Sequence, residues 1–138
     1  MLGAETVNQR YLLDTSCLVR AATGQFLPPS VERVLADRSN ELFLSPVSIW
    51  ELELKVQLGK LVVGIPVREA VQRMIAVLGL QVVDLDMASA FRSATLPLLH
   101  RDPFDRMLIC QAIEHGCTLV TSDTMMRSYP VRTLWAGV

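Results

Sequence analysis

The chain has 138 residues, 51% of them hydrophobic, and a formal net charge of −1. This length suits a single domain, and the charge excludes a protein that grips nucleic acid through a bulk basic surface. The longest apolar stretch, residues 74–83, is broken by Gly79 and Gln81, so nothing approaches the ~20 residues of a membrane span. The first residues include Glu5 and no cationic leader, so no signal peptide is expected and the chain reads as cytoplasmic. Cys17, Cys110 and Cys117 form an odd set without CxxC spacing and read as reduced, buried thiols.

Residues 1–9 read as a flexible leader and 10–138 as one domain. Residues 10–14 form a short buried strand, and 15–20 open the helix that follows it. Residues 24–29 are a loop, after which Pro29 or Ser30 starts a helix with Val31, Val34 and Leu35 on its apolar face. Residues 42–44 are a second strand. In residues 46–58, Leu52, Leu54, Val56 and Leu58 alternate with Glu51, Glu53, Lys55 and Gln57, which is a strand-like period. Ser45 as N-cap, Pro46 at the first helical position and Gly59 as a stop favour a helix instead. A helix over 67–78 closes at Gly79, a strand covers 80–83, and a helix over 86–96 ends near Pro97. Asp102 caps a helix over 103–115 that Gly116 stops. Residues 118–121 are a strand, 124–127 a short helix and 131–134 a last strand. Such alternation predicts an α/β fold with a short, mainly parallel central sheet. Functional groups in these sheets gather beyond the carboxyl ends of the strands.

Four acids stand at the boundaries of these apolar segments. Asp14 closes Tyr11-Leu12-Leu13, Glu51 sits inside Val47-Ser48-Ile49-Trp50-Glu51-Leu52, Asp105 precedes Arg106-Met107-Leu108-Ile109, and Asp123 follows Leu119-Val120-Thr121-Ser122. A carboxylate in apolar surroundings is costly unless something neutralises it. Two of them ~4 Å apart at an effective dielectric of about 20 repel by roughly 4 kcal/mol. If the four converge, a divalent cation neutralises them, and an all-oxygen set suits Mg²⁺ or Mn²⁺. Each also has a local alternative. Asp14 can simply cap a helix, Glu51 can pair with Lys55 at i+4, and Thr121-Ser122-Asp123 can be a capping turn. Asp102 fits the N-cap role, and Asp105 suits the first-turn dipole. Eleven of the thirteen cations are arginine; Arg101, Arg106 and Arg127 lie near the acids and could make bidentate contacts. His100 and His115 are too far apart for a ligand pair, and His115 meets a helix C-terminus. The absence of a Gly-rich phosphate loop, GxSxG and HExxH removes P-loop NTPases, α/β-hydrolases and zincins.

The ordered segments Leu12-Leu13-Asp14-Thr15-Ser16, Ser48-Ile49-Trp50-Glu51-Leu52 with Leu58-Gly59-Lys60-Leu61, His100-Arg101-Asp102-Pro103-Phe104-Asp105-Arg106, Leu119-Val120-Thr121-Ser122-Asp123 and Tyr129-Pro130-Val131 carry a resemblance. Over residues 10–135 the chain resembles the PIN-domain ribonucleases, and among them the VapC-like toxins of type II toxin–antitoxin systems. The resemblance implies a PIN-like three-layer α/β/α fold and an endoribonuclease cutting structured RNA (tRNA, rRNA or mRNA) to a 5′-phosphate and a 3′-hydroxyl. It implies that Asp14, Glu51, Asp105 and Asp123 hold Mg²⁺ or Mn²⁺, with Asp123 at the family's variable position. Thr15 matches the hydroxyl beside the first acid; Asp102, Arg106 and Lys55 are possible accessories, the last two at a phosphate oxygen. It further implies a homodimer and a VapB-like antitoxin encoded next to it. The alternative is a non-catalytic PIN-like module that binds RNA or protein, against which the intact acidic set argues. A receiver or haloacid-dehalogenase domain wants a second aspartate beside the first, and Asp14-Thr15-Ser16-Cys17 has none.

Overall fold

Period-two alternation in the strands divides the apolar residues between two cores. The computed structural model describes residues 9–99 and 102–137; the expectations for residues 1–8, His100 and Arg101 lie outside them. In chain order the elements are β1 (Arg10–Leu13), α1 (Thr15–Ala22), α2 (Pro29–Ala36), β2 (Glu41–Leu44), α3 (Pro46–Gln57), α4 (Val67–Leu78) and β3 (Leu80–Val82). Then follow α5 (Met87–Arg92), α6 (Pro103–Glu114), β4 (Thr118–Thr121) and β5 (Thr133–Trp135). Short 3₁₀ turns lie at Ser93–Thr95 and Thr124–Ser128.

Leu13, Leu42, Leu44 and Val120 point into one core with Cys17, Leu18, Val31, Val71 and Met74 of α1, α2 and α4. Leu12, Phe43 and Leu119 point into the other, with Leu108, Ile109 and Cys110 of α6. The helices therefore cover both faces of the sheet, as in the expected three-layer α/β/α arrangement. All strand pairs are parallel, in the order β3-β2-β1-β4-β5. The chain builds outward from β1 to β3, then returns to the other side of β1 for β4. That reversal makes the β1–β4 junction a topological switch point, where such sheets open a crevice at their carboxyl ends.

Residues 46–58 resolve as a helix despite their alternating pattern. Ser45 accepts from the Val47 amide and Pro46 occupies the first turn. The alternating leucines consequently spiral: Leu52 is buried, whereas Leu58 is 58% exposed. Val47 joins one core and Leu52 the other, so α3 spans the edge of the sheet. Several boundaries shift by one residue, and two depart further from expectation. The helix expected over 86–96 ends at Arg92, and a 3₁₀ turn follows. There the Ser93 and Thr95 hydroxyls donate to the carbonyls of Ala90 and Arg92, competing with helical bonding. The last strand begins at Thr133 rather than 131, because Val131 N–H turns back to the Tyr129 carbonyl after Pro130. All three cysteines are buried and free.

One polar residue ties three segments together across the second core. Gln111 is fully buried; its Oε1 accepts from Ser45 Oγ at 2.6 Å and its Nε2 donates to the Asp84 carbonyl at 3.1 Å. Gln111→Leu takes these partners from the Ser45 hydroxyl hydrogen and the Asp84 carbonyl and should lower unfolding free energy by about 2 kcal/mol. The expected readout is a lower urea midpoint at unchanged m-value. An unchanged midpoint would remove Gln111 as a structural tie.

Candidate active site

The register of the sheet brings the first and fourth acids to one crevice. β1 and β4 pair with Leu13 opposite Val120, so Asp14 and the Ser122-Asp123 turn leave adjacent strands at the same end. Asp14 N–H still donates to the Val120 carbonyl of β4, while its side chain becomes the N-cap of α1, accepting from the Cys17 amide at 2.8 Å. Asp123 caps the following 3₁₀ turn, accepting from Met125 N–H at 2.9 Å. Asp102 caps α6, accepting from Phe104 N–H at 2.9 Å, and Asp105 lies in the first turn of that helix.

Glu51 arrives differently, from the interior of α3, and only 6% of it is exposed. Thr15 Oγ1 donates to its Oε1 at 2.7 Å, and Lys55 Nζ stands 2.8 Å from its Oε2. Ser48 Oγ, fully buried one helical turn before Glu51, lies 3.0 Å from Thr15 Oγ1 and fixes that hydroxyl. Trp50 packs edge-on against Phe104 with ring centroids 5.0 Å apart, holding α3 beside the start of α6. Each ring immediately precedes one of the acids.

These elements enclose a cleft of about 450 Å³ lined by Asp14, Thr15, Ser16, Glu51, Lys55, Asp102, Asp105, Ser122, Asp123, Thr124 and Met126. All four acids singled out in the sequence therefore border one space, with Thr15, Asp102 and Lys55 beside them. Two other clefts, around Asp37 and around Glu32, gather only one carboxylate each. Arg106 is not brought to the cleft. Its guanidinium donates to the carbonyls of Pro97 and Ser93 and to the Tyr129 hydroxyl, pinning the segment before α6. Arg127 lies over the Trp135 ring instead, 4.8 Å from its centroid. Ser48 was missed in the sequence; its place three residues before Glu51, on the same helical face, is the signal that would have found it.

The electrostatics follow from burial and partners. Desolvation pushes the Asp14 carboxyl above its ordinary range, opposed by hydrogen bonds from Thr121 and Cys17 and by the charge of Arg20. The hydrogen bond to Glu51 raises the Lys55 ammonium, and the charges of Glu51, Asp102 and Asp105 add to that. Among the described residues, no three Asp, Glu, His or Cys groups converge as a ready metal cage. The donor set fits a hard divalent cation nonetheless. It consists of carboxylate and hydroxyl oxygens around an open cleft, and Mg²⁺ keeps several waters while taking only one or two carboxylates directly.

The PIN domain family matches residues 11–131. The chain is 31% identical over 104 residues to Ribonuclease VapC22 of Mycobacterium tuberculosis, covering 72% of this chain and 78% of that protein. Its fold is similar to that in VapBC2 from Rickettsia felis bound to a promoter DNA fragment, with TM-score 0.66 and 20% identity over 91% of this chain and 97% of that one. It is also similar to DNA-bound VapBC from Salmonella typhimurium, with TM-score 0.63 and 17% identity over 91% and 96%.

Two substitutions probe this arrangement. Because burial raises Asp14 above its unfolded value, the ionised carboxylate costs stability as pH rises through the folded pKa. Asn keeps the capping oxygen without the charge. Asp14→Asn measured in chelator should therefore unfold at higher temperature than wild type at neutral pH. The difference should close as pH falls toward about 4, the usual aspartate value. A wild type that is the more stable at neutral pH would contradict the burial cost. Asp102→Ala should lose ~1 kcal/mol of stability as a helix cap yet keep RNA cleavage at saturating metal. A stable Asp102→Ala protein without cleavage would make Asp102 a ligand.

Proposed function

The chain belongs to the PIN-domain family, with a VapC ribonuclease among its relatives, and from that premise we propose that it is a metal-dependent endoribonuclease toxin of a toxin–antitoxin pair. The observation that carries this reading is the convergence of Asp14, Glu51, Asp105 and Asp123 on one cleft at the switch point of the sheet. These four would hold Mg²⁺ or Mn²⁺. A bound divalent cation supplies Lewis acidity for activating water and positive charge to brace the scissile phosphate.

The chain's own groups prepare that site. Thr15 and Ser48 hold Glu51 in one orientation. The N-termini of α1 and α6 direct partial positive charge at the cleft, favourable for carboxylates and for a phosphate alike. Among the described residues that line the cleft, Lys55, 46% exposed in its side chain, is the cation that could reach an RNA phosphate oxygen. In-line attack by water then leaves a 5′-phosphate and a 3′-hydroxyl.

An antitoxin partner is supported by a further, apolar cleft of about 230 Å³ between α1, α3 and α4, where Val19, Leu52, Leu61, Val67 and Met74 would receive an amphipathic segment. Two proteins of similar fold were solved as VapBC complexes. Met87 and Phe91, 73% and 70% exposed on α5, offer a face for a second copy.

The purified chain should cleave RNA with Mg²⁺ or Mn²⁺, lose cleavage in chelator, and yield 5′-phosphate ends. Asp105→Asn should fall to background cleavage and relieve the growth arrest caused by overexpression. Asp105→Asn at the wild-type rate would overturn the assignment of the site.

A further inference from the structure

Both carboxylate oxygens of Glu51 are already engaged by the chain itself. The Thr15 hydroxyl takes Oε1 and the Lys55 ammonium takes Oε2. Asp14, Asp102 and Asp123 each cap a helix or 3₁₀ turn, and Asp105 lies in the first turn of α6. The partial positive charge of backbone N–H groups supports them there. Glu51, the sixth residue of α3, has no such support, and its carboxylate is nearly buried. Lys55 supplies the missing charge from one turn further along the same helix.

We infer that Lys55 is a positioning residue that holds Glu51 in place of a divalent cation and yields it when the cation binds. The inference rests on the reading of the cleft as a cation site and adds an exchange step to it. Its two partners are unequal. The Glu51 side chain is 8% exposed and clamped by Thr15, whereas that of Lys55 is 46% exposed. The lysine is therefore the partner that can leave, on a flexible four-carbon stem. The ammonium and a divalent cation compete for the same oxygen, Oε2. Once displaced, the ammonium remains at the mouth of the cleft, where RNA phosphate would enter. Cation binding thus frees a positive group for substrate, and the two events are linked by one contact. If the pair were only an i,i+4 brace on the helix, removing Lys55 would leave cation affinity unchanged.

The test is Mn²⁺ binding to the full chain, read as free Mn²⁺ by electron paramagnetic resonance without RNA. Lys55→Met should bind Mn²⁺ about tenfold more tightly than wild type, equivalent to about 1.4 kcal/mol. Lys55→Arg, which keeps the charge and reach, should stay near wild type. In a Glu51→Gln background the Lys55→Met change should alter affinity by less than about twofold, since the negative charge that both cations contest is gone. Unchanged or weaker binding in Lys55→Met would overturn the exchange. An equal gain in both backgrounds would also overturn it, because the lysine would then act only as a remote charge. Mn²⁺ binding in none of these proteins would instead bring down the cation-site reading on which the inference stands.

Discussion

Like charges gathered in a partly buried cleft are the constraint on which the rest of this structure depends. Carboxylates at the carboxyl end of the sheet repel one another and lose hydration, and each must be made tolerable where it stands. Backbone contributes to this at four of them. Asp14, Asp102 and Asp123 cap a helix or turn, and Asp105 follows in a first turn, where free N–H groups accept negative charge. Glu51 needs side chains instead, and Thr15 with Lys55 provides them.

The remaining architecture serves to hold these termini in register. Parallel pairing of β1 with β4 fixes Asp14 against the Thr121-Ser122-Asp123 turn. The two cores anchor α1 and α6 on opposite faces, so their N-termini approach the same cleft from two layers. α3 bridges the layers, with Val47 in one core and Leu52 in the other, and this places Glu51 between them. Gln111 and Arg106 consume their polar groups in tying loops to α6. Their contribution is to the frame.

Much of this was legible in the sequence because the signals were local. Pro103 after Asp102, Gly79 after Leu78 and the Ser45-Pro46 start each mark a helix terminus through backbone chemistry that neighbouring residues decide. The acids stood out because a carboxylate beside Leu12-Leu13 or within Val47–Leu52 has few inexpensive explanations. Side-chain destinations were less legible. Arg106 follows Asp105 directly, yet its guanidinium turns to Pro97, Ser93 and Tyr129, acceptors that only the tertiary fold supplies. Ser48 went unnoticed because its role depends on Thr15, thirty-three residues earlier. The truncated helix after Arg92 reflects hydroxyls of Ser93 and Thr95 competing for carbonyls, a balance too fine for periodicity to reveal.

The central claim is that four acids from separate segments form a single cation-demanding centre. A crystal of the chain soaked in Mn²⁺, with the ion located by its anomalous scattering, tests this most directly. The account predicts a peak in the cleft within coordination distance of at least one of Asp14, Glu51, Asp105 and Asp123, absent from Asp14→Asn crystals soaked alike. A fully soaked wild-type crystal with no peak there, or with the ion bound at another surface, would contradict it.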